Sequence, residues 1–263
     1  MSWMGSGWDS MDSAWDNVPG KDKGARRLWL PPGETNRIMF LEDNPTTIWE
    51  HNYKWDGHWR NWEPCPPRNR LGRECPICDA YDDRYPYFVG FLTIINMTPW
   101  FTKKKNTEIN FQREIFAAKM GSDEKPGVLK KVRKMADKQG GLRGYIYDVE
   151  RPGKKTESCG SEFELIETIE PEQIKAYGMD QLSAFAQRLN EDAPPDKQVT
   201  AEKLWERHPW EPFDFDEEIK PLSIDELKKM FSKSGGATAG GGHDEDSDDR
   251  YEDDSGVDAD IPY

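Results

Sequence analysis

The spacing of apolar positions changes period once along this chain, near Pro171. Before it, short apolar runs alternate with turn signals. Arg37 to Leu41 and Thr46 to Trp55 have strand patterns, with Pro and Asn-Pro turns around and between them. Along the second, Trp49, His51, Tyr53 and Trp55 fall on one face by alternation. Residues 56–86 are dominated by loop signals. Tyr87 to Asn96 is the strongest strand, β-branched and aromatic, and Phe111 to Ala118 is a weaker one. Gly127 to Asp137 has the pattern of a basic helix closed by Gly140 and Gly141. Strands from Gly144 to Arg151 and from Phe163 to Ile169 follow it.

Beyond Pro171 the spacing becomes helical. Ile174, Tyr177, Leu182, Phe185 and Leu189 recur within Glu172 to Leu189 until Ala193-Pro194-Pro195 breaks the run. A shorter helix covers Thr200 to Arg207. Ser223, with Glu226 three residues later, opens another through a capping box. Residues 1–24 mix Gly, Ser and Asp with isolated tryptophans and form a flexible arm. There Met4, Trp8, Met11 and Trp15 share a helical face that could order on docking. The pattern predicts a mainly β core over 25–170, with short strands and one helix suited to a small closed barrel. A helical extension over 171–234 and a disordered tail over 235–263 complete the predicted organisation.

Charge sharpens the division. The net charge of −14 separates into +4 over residues 1–159, −9 over 160–234 and −9 over 235–263, with +7 concentrated in residues 101–159. A basic body followed by an acidic tail attracts phosphate and offers the tail as a competitor for the same patch. Hydrophobic content is only 35%, yet aromatics reach 12% with 11 Trp, more rings than a core of this size needs. The chain has no apolar run long enough for a bilayer and no basic-then-apolar leader, so a cytoplasmic location is expected.

Cys75-Pro76-Ile77-Cys78 is a C-x-x-C knuckle with Cys65 ten positions upstream. In a reducing compartment such cysteines read first as ligands of a structural zinc ion, which takes four tetrahedral donors. His51, His58 or Cys159 supplies the fourth, and His51 is favoured. No glutamate stands where a zinc deaminase needs its proton shuttle, and H-E-x-x-H, G-x-x-x-x-G-K-[ST] and G-x-S-x-G are all absent. The expectation is therefore a protein that is not an enzyme.

Around the metal loop, bases and rings interleave: Lys54, Trp55, Trp59, Arg60 and Trp62, then Arg68 and Arg70. Lys103, Lys104 and Lys105 follow, then Lys130, Lys131, Arg133 and Lys134. Arg143, Tyr145, Tyr147 and Arg151 share one face of a late strand. Any one lysine run is an ordinary solvated surface. Together with the aromatics, the runs suit a groove where bases stack on rings and cations follow the backbone. The segment Asp244 to Asp260 cannot fold alone. It ends in Asp258, Asp260, Ile261, Pro262 and Tyr263, an acidic peptide with an apolar tip and a free carboxylate, which suits partner docking.

The Cys65, Cys75, Cys78 spacing with a preceding histidine resembles the zinc site of the T-even phage helix-destabilising proteins. These are single-stranded DNA-binding proteins of tailed phages, built on an OB-type barrel. The terminus resembles the acidic tip of bacterial single-stranded DNA-binding proteins, which usually end in Phe where this chain has Tyr263. The resemblance spans roughly residues 25–169 and the tail. It implies an OB-fold-like barrel with a zinc-binding insertion, and zinc held by His51, Cys65, Cys75 and Cys78. It further implies sequence-nonspecific binding of single-stranded DNA in phage replication, recombination and repair within an infected bacterial host. Replication and recombination proteins would dock on the tail. Two departures stand out. The spacing from His51 to Cys65 is one residue longer than the T-even pattern, and the basic N-terminal segment of that family is missing, which leaves self-association to the Met/Trp arm. A zinc-containing RNA-binding or transcription-regulating protein is the alternative, and an interaction scaffold whose aromatics are all core is a third reading.

Overall fold

The chain is described by a computed structural model covering residues 25–55, 58–80, 86–101, 108–122, 124–191, 193–219 and 221–232, with residues 53–55, 58–62, 231 and 232 described by backbone alone. The N-terminal arm expected over residues 1–24, Lys103–Lys105 and the acidic tail lie outside it. The strands are β1 (Thr35–Phe40), β2 (Thr46–Trp55), β3 (His58–Pro64), β4 (Tyr87–Asn96), β5 (Trp100–Phe101), β6 (Glu108–Ile109), β7 (Gln112–Lys119), β8 (Tyr145–Glu150) and β9 (Glu162–Thr168). The helices are α1 (Pro76–Ala80), α2 (Val128–Gln139), α3 (Ile174–Asn190), α4 (Ala201–Arg207), α5 (Phe215–Glu218) and α6 (Ile224–Ser232).

Seven strands form one antiparallel sheet in the order β3-β2-β4-β1-β8-β9, with β7 on the other edge of β4. β1 and β2 share one edge of β4 end to end: Thr46 to Glu50 pair with Phe91 to Tyr87, and Ile38 to Phe40 with Asn96 to Ile94. The apolar run of β4 explains its central place. Phe91, Leu92, Thr93, Ile94 and Ile95 are all fully buried, so both faces of the strand are covered.

Alternation sends the two faces into different cores. Ile38, Phe40, Leu92, Ile94, Phe116, Tyr147 and Val149 meet Val128, Leu129 and Val132 of α2. Met39, Leu41, Ile95 and Ile146 meet Ile174, Leu182 and Phe185 of α3, Leu204 of α4, and Trp210. At the far end, Val89, Phe91 and Ile115 pack on Phe215 of α5. Gly90 permits the close approach of α2, since a Cβ there would sit 2.6 Å from Leu129 Cδ1. Gly140, at φ 79, ends α2 by donating its N–H to the Ala136 carbonyl. Where α2 begins, the Glu157 carboxylate accepts from Val128 N and from Lys119 N, both at 2.7 Å, and so clips the helix to the end of β7.

The expectation of a mainly β, closed barrel is corrected on two counts. The fold is mixed, with helices on both sheet faces, and the helical extension shares a core with the strands. The sheet is also unclosed. It curls far enough that Phe116 of β7 and Phe163 of β9 bring their rings to 6.1 Å, yet no backbone pairing joins those strands among the described residues. A strap over residues 26–30 spans the gap, with Leu28 N on the Ile115 carbonyl and Leu30 N on the Ser158 carbonyl, both at 2.8 Å. Residues 56–86, expected as loop, contain β3 and α1.

His208 follows α4 and is half-buried as a neutral ring. Burial, with Arg113 and Arg207 nearby, lowers its pKa from 6.5 to about 4. The sign follows from linkage: above pH 6.5 neither folded nor unfolded chain carries this proton, and between 6.5 and 4 only the unfolded chain takes it up. Stability is therefore expected to fall by up to about 3 kcal/mol as pH drops through that window. Urea midpoints at pH 7 and pH 4 check this, and His208→Gln should reduce the difference, leaving the part due to other groups.

Candidate metal centre and nucleic-acid interface

The β2–β3 hairpin builds half of the metal site. His51 stands opposite Glu63, and Glu50 opposite Pro64, so the next residue, Cys65, lies beside Trp49 and donates its N–H to the Trp49 carbonyl at 2.8 Å. Cross-strand partners share a face, which puts His51 and Cys65 on the same side. Between His51 and Tyr53, two residues of β2 span three of β3. This irregularity ends the simple alternation expected along Trp49, His51, Tyr53 and Trp55.

Asn69 fixes the turn after Cys65. Its side chain accepts from Trp49 N at 2.8 Å and donates to the carbonyls of Trp49 and Cys65 at 2.6 and 2.9 Å. Cys75 and Cys78 come from the start of α1, where Pro76 suits the first helical position. The Cys78 N–H points at Cys75 Sγ, 3.5 Å away.

The four donor atoms lie within 4.8 Å of one another. His51 Nε2 is 3.3 Å from Cys75 Sγ and 3.5 Å from Cys78 Sγ, and Cys65 Sγ is 3.9 Å from Cys78 Sγ. Ordinary zinc bond lengths in a tetrahedron require about 3.6 Å between N and S and about 3.8 Å between two S atoms. The printed separations lie close to those values, and the compact, buried group could hold a metal ion such as zinc. Burial keeps His51 neutral, with its pKa down at about 4, which is the ligating form. Burial also raises the Cys65 thiol, and burial together with Cys75 pushes Cys78 up to about 12. A cation entering the site would displace those thiol protons. Cys159 is buried in the main core, near its neighbour Gly160, and plays no part in this group. His58 pairs with Trp55 at the far end of the hairpin.

Among the described residues, the expected nucleic-acid residues are spread over several elements, and two of them are internal. Lys54, Trp55, Trp59, Arg60 and Trp62 lie on the hairpin backbone of β2 and β3. Arg68 and Arg70 are exposed in the following loop, and Arg68 covers the Trp49 ring at 5.5 Å. Lys130, Lys131, Arg133 and Lys134 lie on α2. Lys130 Nζ donates to the Ser122 carbonyl, while Lys131 Nζ reaches the Ser161 carbonyl and Glu162. Arg133 and Lys134 are exposed, and with Lys130, Ser122 and Asp137 they line a shallow groove. Arg143 is exposed and Tyr145 half-buried, stacked on Tyr147. Tyr147 and Arg151 are in the interior, 2% and 1% exposed. Arg151 donates to the carbonyls of Leu30, Lys154 and Thr156 at 2.9, 3.2 and 3.2 Å, a structural set of bonds.

The sequence reading passed over a different pair of rings. Trp29 is 42% exposed, with the Arg151 guanidinium 6.0 Å from its ring and the exposed Lys154 and Lys155 in the adjoining loop. Tyr87 is 40% exposed, and Lys119 Nζ lies 3.8 Å from its ring. Tyr87 and Lys119 share the face of Phe91 and Ile115, while Leu28 and Leu30 turn into the opposite core and leave Trp29 outward. The Leu-Trp-Leu alternation of the strap was the available signal.

Comparison with protein families, with curated proteins and with solved structures finds no match to this chain. Among the described residues, no helix is long and apolar enough to cross a membrane.

Proposed function

We propose that this chain is a non-enzymatic, sequence-nonspecific single-stranded DNA-binding protein. In this reading a structural zinc ion sits on His51, Cys65, Cys75 and Cys78, and the acidic tail docks replication and recombination partners. The supporting observation is the pair of exposed rings with cations against them, Trp29 of the strap with Arg151 and Tyr87 with Lys119 at the β7 edge. Because helices cover both faces of the sheet, a strand of nucleic acid would follow this edge and the metal lobe, stacking bases on rings and setting phosphates near Lys154 and Lys155.

The test is a titration with labelled oligo-dT and oligo-U, followed by tryptophan fluorescence and anisotropy at rising salt. Quenching that saturates with oligo-dT and weakens with salt supports the reading. Trp29→Ala should weaken binding by about 1–3 kcal/mol, the worth of one stacked base. Preference for oligo-U would favour the RNA-binding alternative, preference for duplex would refute both, and no response to either polymer would leave an interaction scaffold.

A further inference from the structure

Among the described residues, the metal lobe has a small buried apolar cluster. It comprises Cys65, Cys75, Ile77 and Leu227, flanked by Trp49, Cys78 and Leu222. Two of those four are candidate ligands, and Leu227 comes from α6, the last described helix of the chain. Leu227 is fully buried there. Two polar contacts hold the same helix in place: Leu222 N donates to Glu63 Oε1 at 2.9 Å, and Lys228 Nζ pairs with Glu74 Oε2 at 2.6 Å. Glu63 lies opposite His51 in the β2–β3 ladder, and Glu74 immediately precedes Cys75. α6 therefore closes over the back of the ligand group from a point in sequence more than a hundred residues away.

We propose that α6 is a metal-dependent latch. With the ion bound, the lobe presents a fixed surface to Leu227 and Leu222 and the helix docks. Without it, the ligand loops lose their common centre and the helix is released. The proposal rests on reading His51, Cys65, Cys75 and Cys78 as a metal centre and is independent of any nucleic acid. Linkage makes the coupling reciprocal: an ion that binds the latched form more tightly stabilises the latch, and the latch slows loss of the ion. The chain beyond α6 runs through a Gly-rich stretch into the acidic tail, so the latch sets where that tail departs from the body. Docked, the tail starts beside the metal lobe. Released, its last anchor is α5.

The test uses the full chain loaded with zinc, its metal content measured first. Hydrogen exchange is then followed over residues 221–232, with and without a chelator. Withdrawal of zinc should speed exchange in α6 by at least about tenfold, while α3 stays protected. Leu227→Ala should hasten transfer of zinc to a coloured chelator by at least about tenfold, as expected for loss of a fully buried leucine side chain. Should that variant fold poorly, Lys228→Glu leaves the apolar contact intact. It should speed release by up to about fivefold, and Glu74→Lys on the same chain should reverse the effect. Unchanged protection of α6 on zinc withdrawal, or release at the wild-type rate from both variants, overturns the latch. A chain that takes up no zinc overturns the metal reading and the latch with it, and the initial metal content separates that outcome from the others.

Discussion

Cys75→Ser is expected to lose tight metal binding and to melt the lobe built on it, β3 included, while β1, β4, β7, β8 and β9 keep α2, α3 and α4. Structural zinc sites supply about 10–16 kcal/mol of apparent binding energy near neutral pH, and the lobe has nothing comparable to replace it. Among the described residues its fully buried apolar side chains are few, α1 is a five-residue helix, and the turn after β3 is held by the Asn69 side chain and a few backbone bonds. The remaining donors, His51, Cys65 and Cys78, could still form a weak site. Metal analysis should return one ion per chain for the wild type and close to none for the variant. Calorimetry should show an early, separate transition in the variant. Cobalt(II) in place of zinc would report tetrahedral thiolate coordination by its absorption, and that spectrum should vanish with Cys75. A single unchanged unfolding transition would mean that the lobe is stable without an ion.

Arg151→Ala carries the second large expectation, a loss of about 3–5 kcal/mol of stability. The guanidinium is buried and donates to three backbone carbonyls, tying the strap at Leu30 to the 152–156 turn. Removing it strands the buried Leu30 carbonyl without this donor and leaves the strap tied to the β8–β9 connection by the Leu30 N–Ser158 bond. Arg151→Lys should recover little, because a single ammonium cannot reproduce the planar fork that meets three acceptors in different directions. Chemical denaturation measures the loss. A surface arginine serving only nucleic acid would instead leave the denaturation midpoint where it was.

That contrast shows how much the sequence carried. Local signals were legible: the strands Thr46–Trp55 and Tyr87–Asn96 have the bounds that their alternation and β-branched residues indicate. The Ser223–Glu226 box caps α6 reciprocally, as its spacing requires. The ligand group was legible too, since C-x-x-C and a third cysteine restrict the geometry so strongly. β3 was not, because His-Trp-Arg-Asn-Trp-Glu-Pro has no β-branched residue and ends in proline. Its pairing comes from β2, which is a tertiary effect. The barrel expectation failed for a related reason, as local periodicity does not say whether two sheet edges meet. A sign of two-sided burial was present all the same. Ile38-Met39-Phe40-Leu41 and Phe91 to Ile95 are unbroken by polar alternation apart from Thr93, as strands covered on both faces require. Arg151 and Tyr147 misled because alternation ranks residues by side and is blind to which side is the interior.

One rung of the sheet carries a consequence for how this architecture can vary. Glu50 of β2 stands opposite Tyr87 of β4, so the chain leaves the body at one member of a pair and returns at the other. Partners across an antiparallel ladder are only about 5 Å apart. Everything between them, residues 51–86, is an excursion from a single point. Such an excursion can be lengthened, shortened or exchanged without re-registering the strands that remain, provided that its replacement also ends at neighbouring positions. The lobe is thus a plug-in unit, and grafting it between two adjacent strands of another sheet would transplant the whole ligand set while leaving α6 behind.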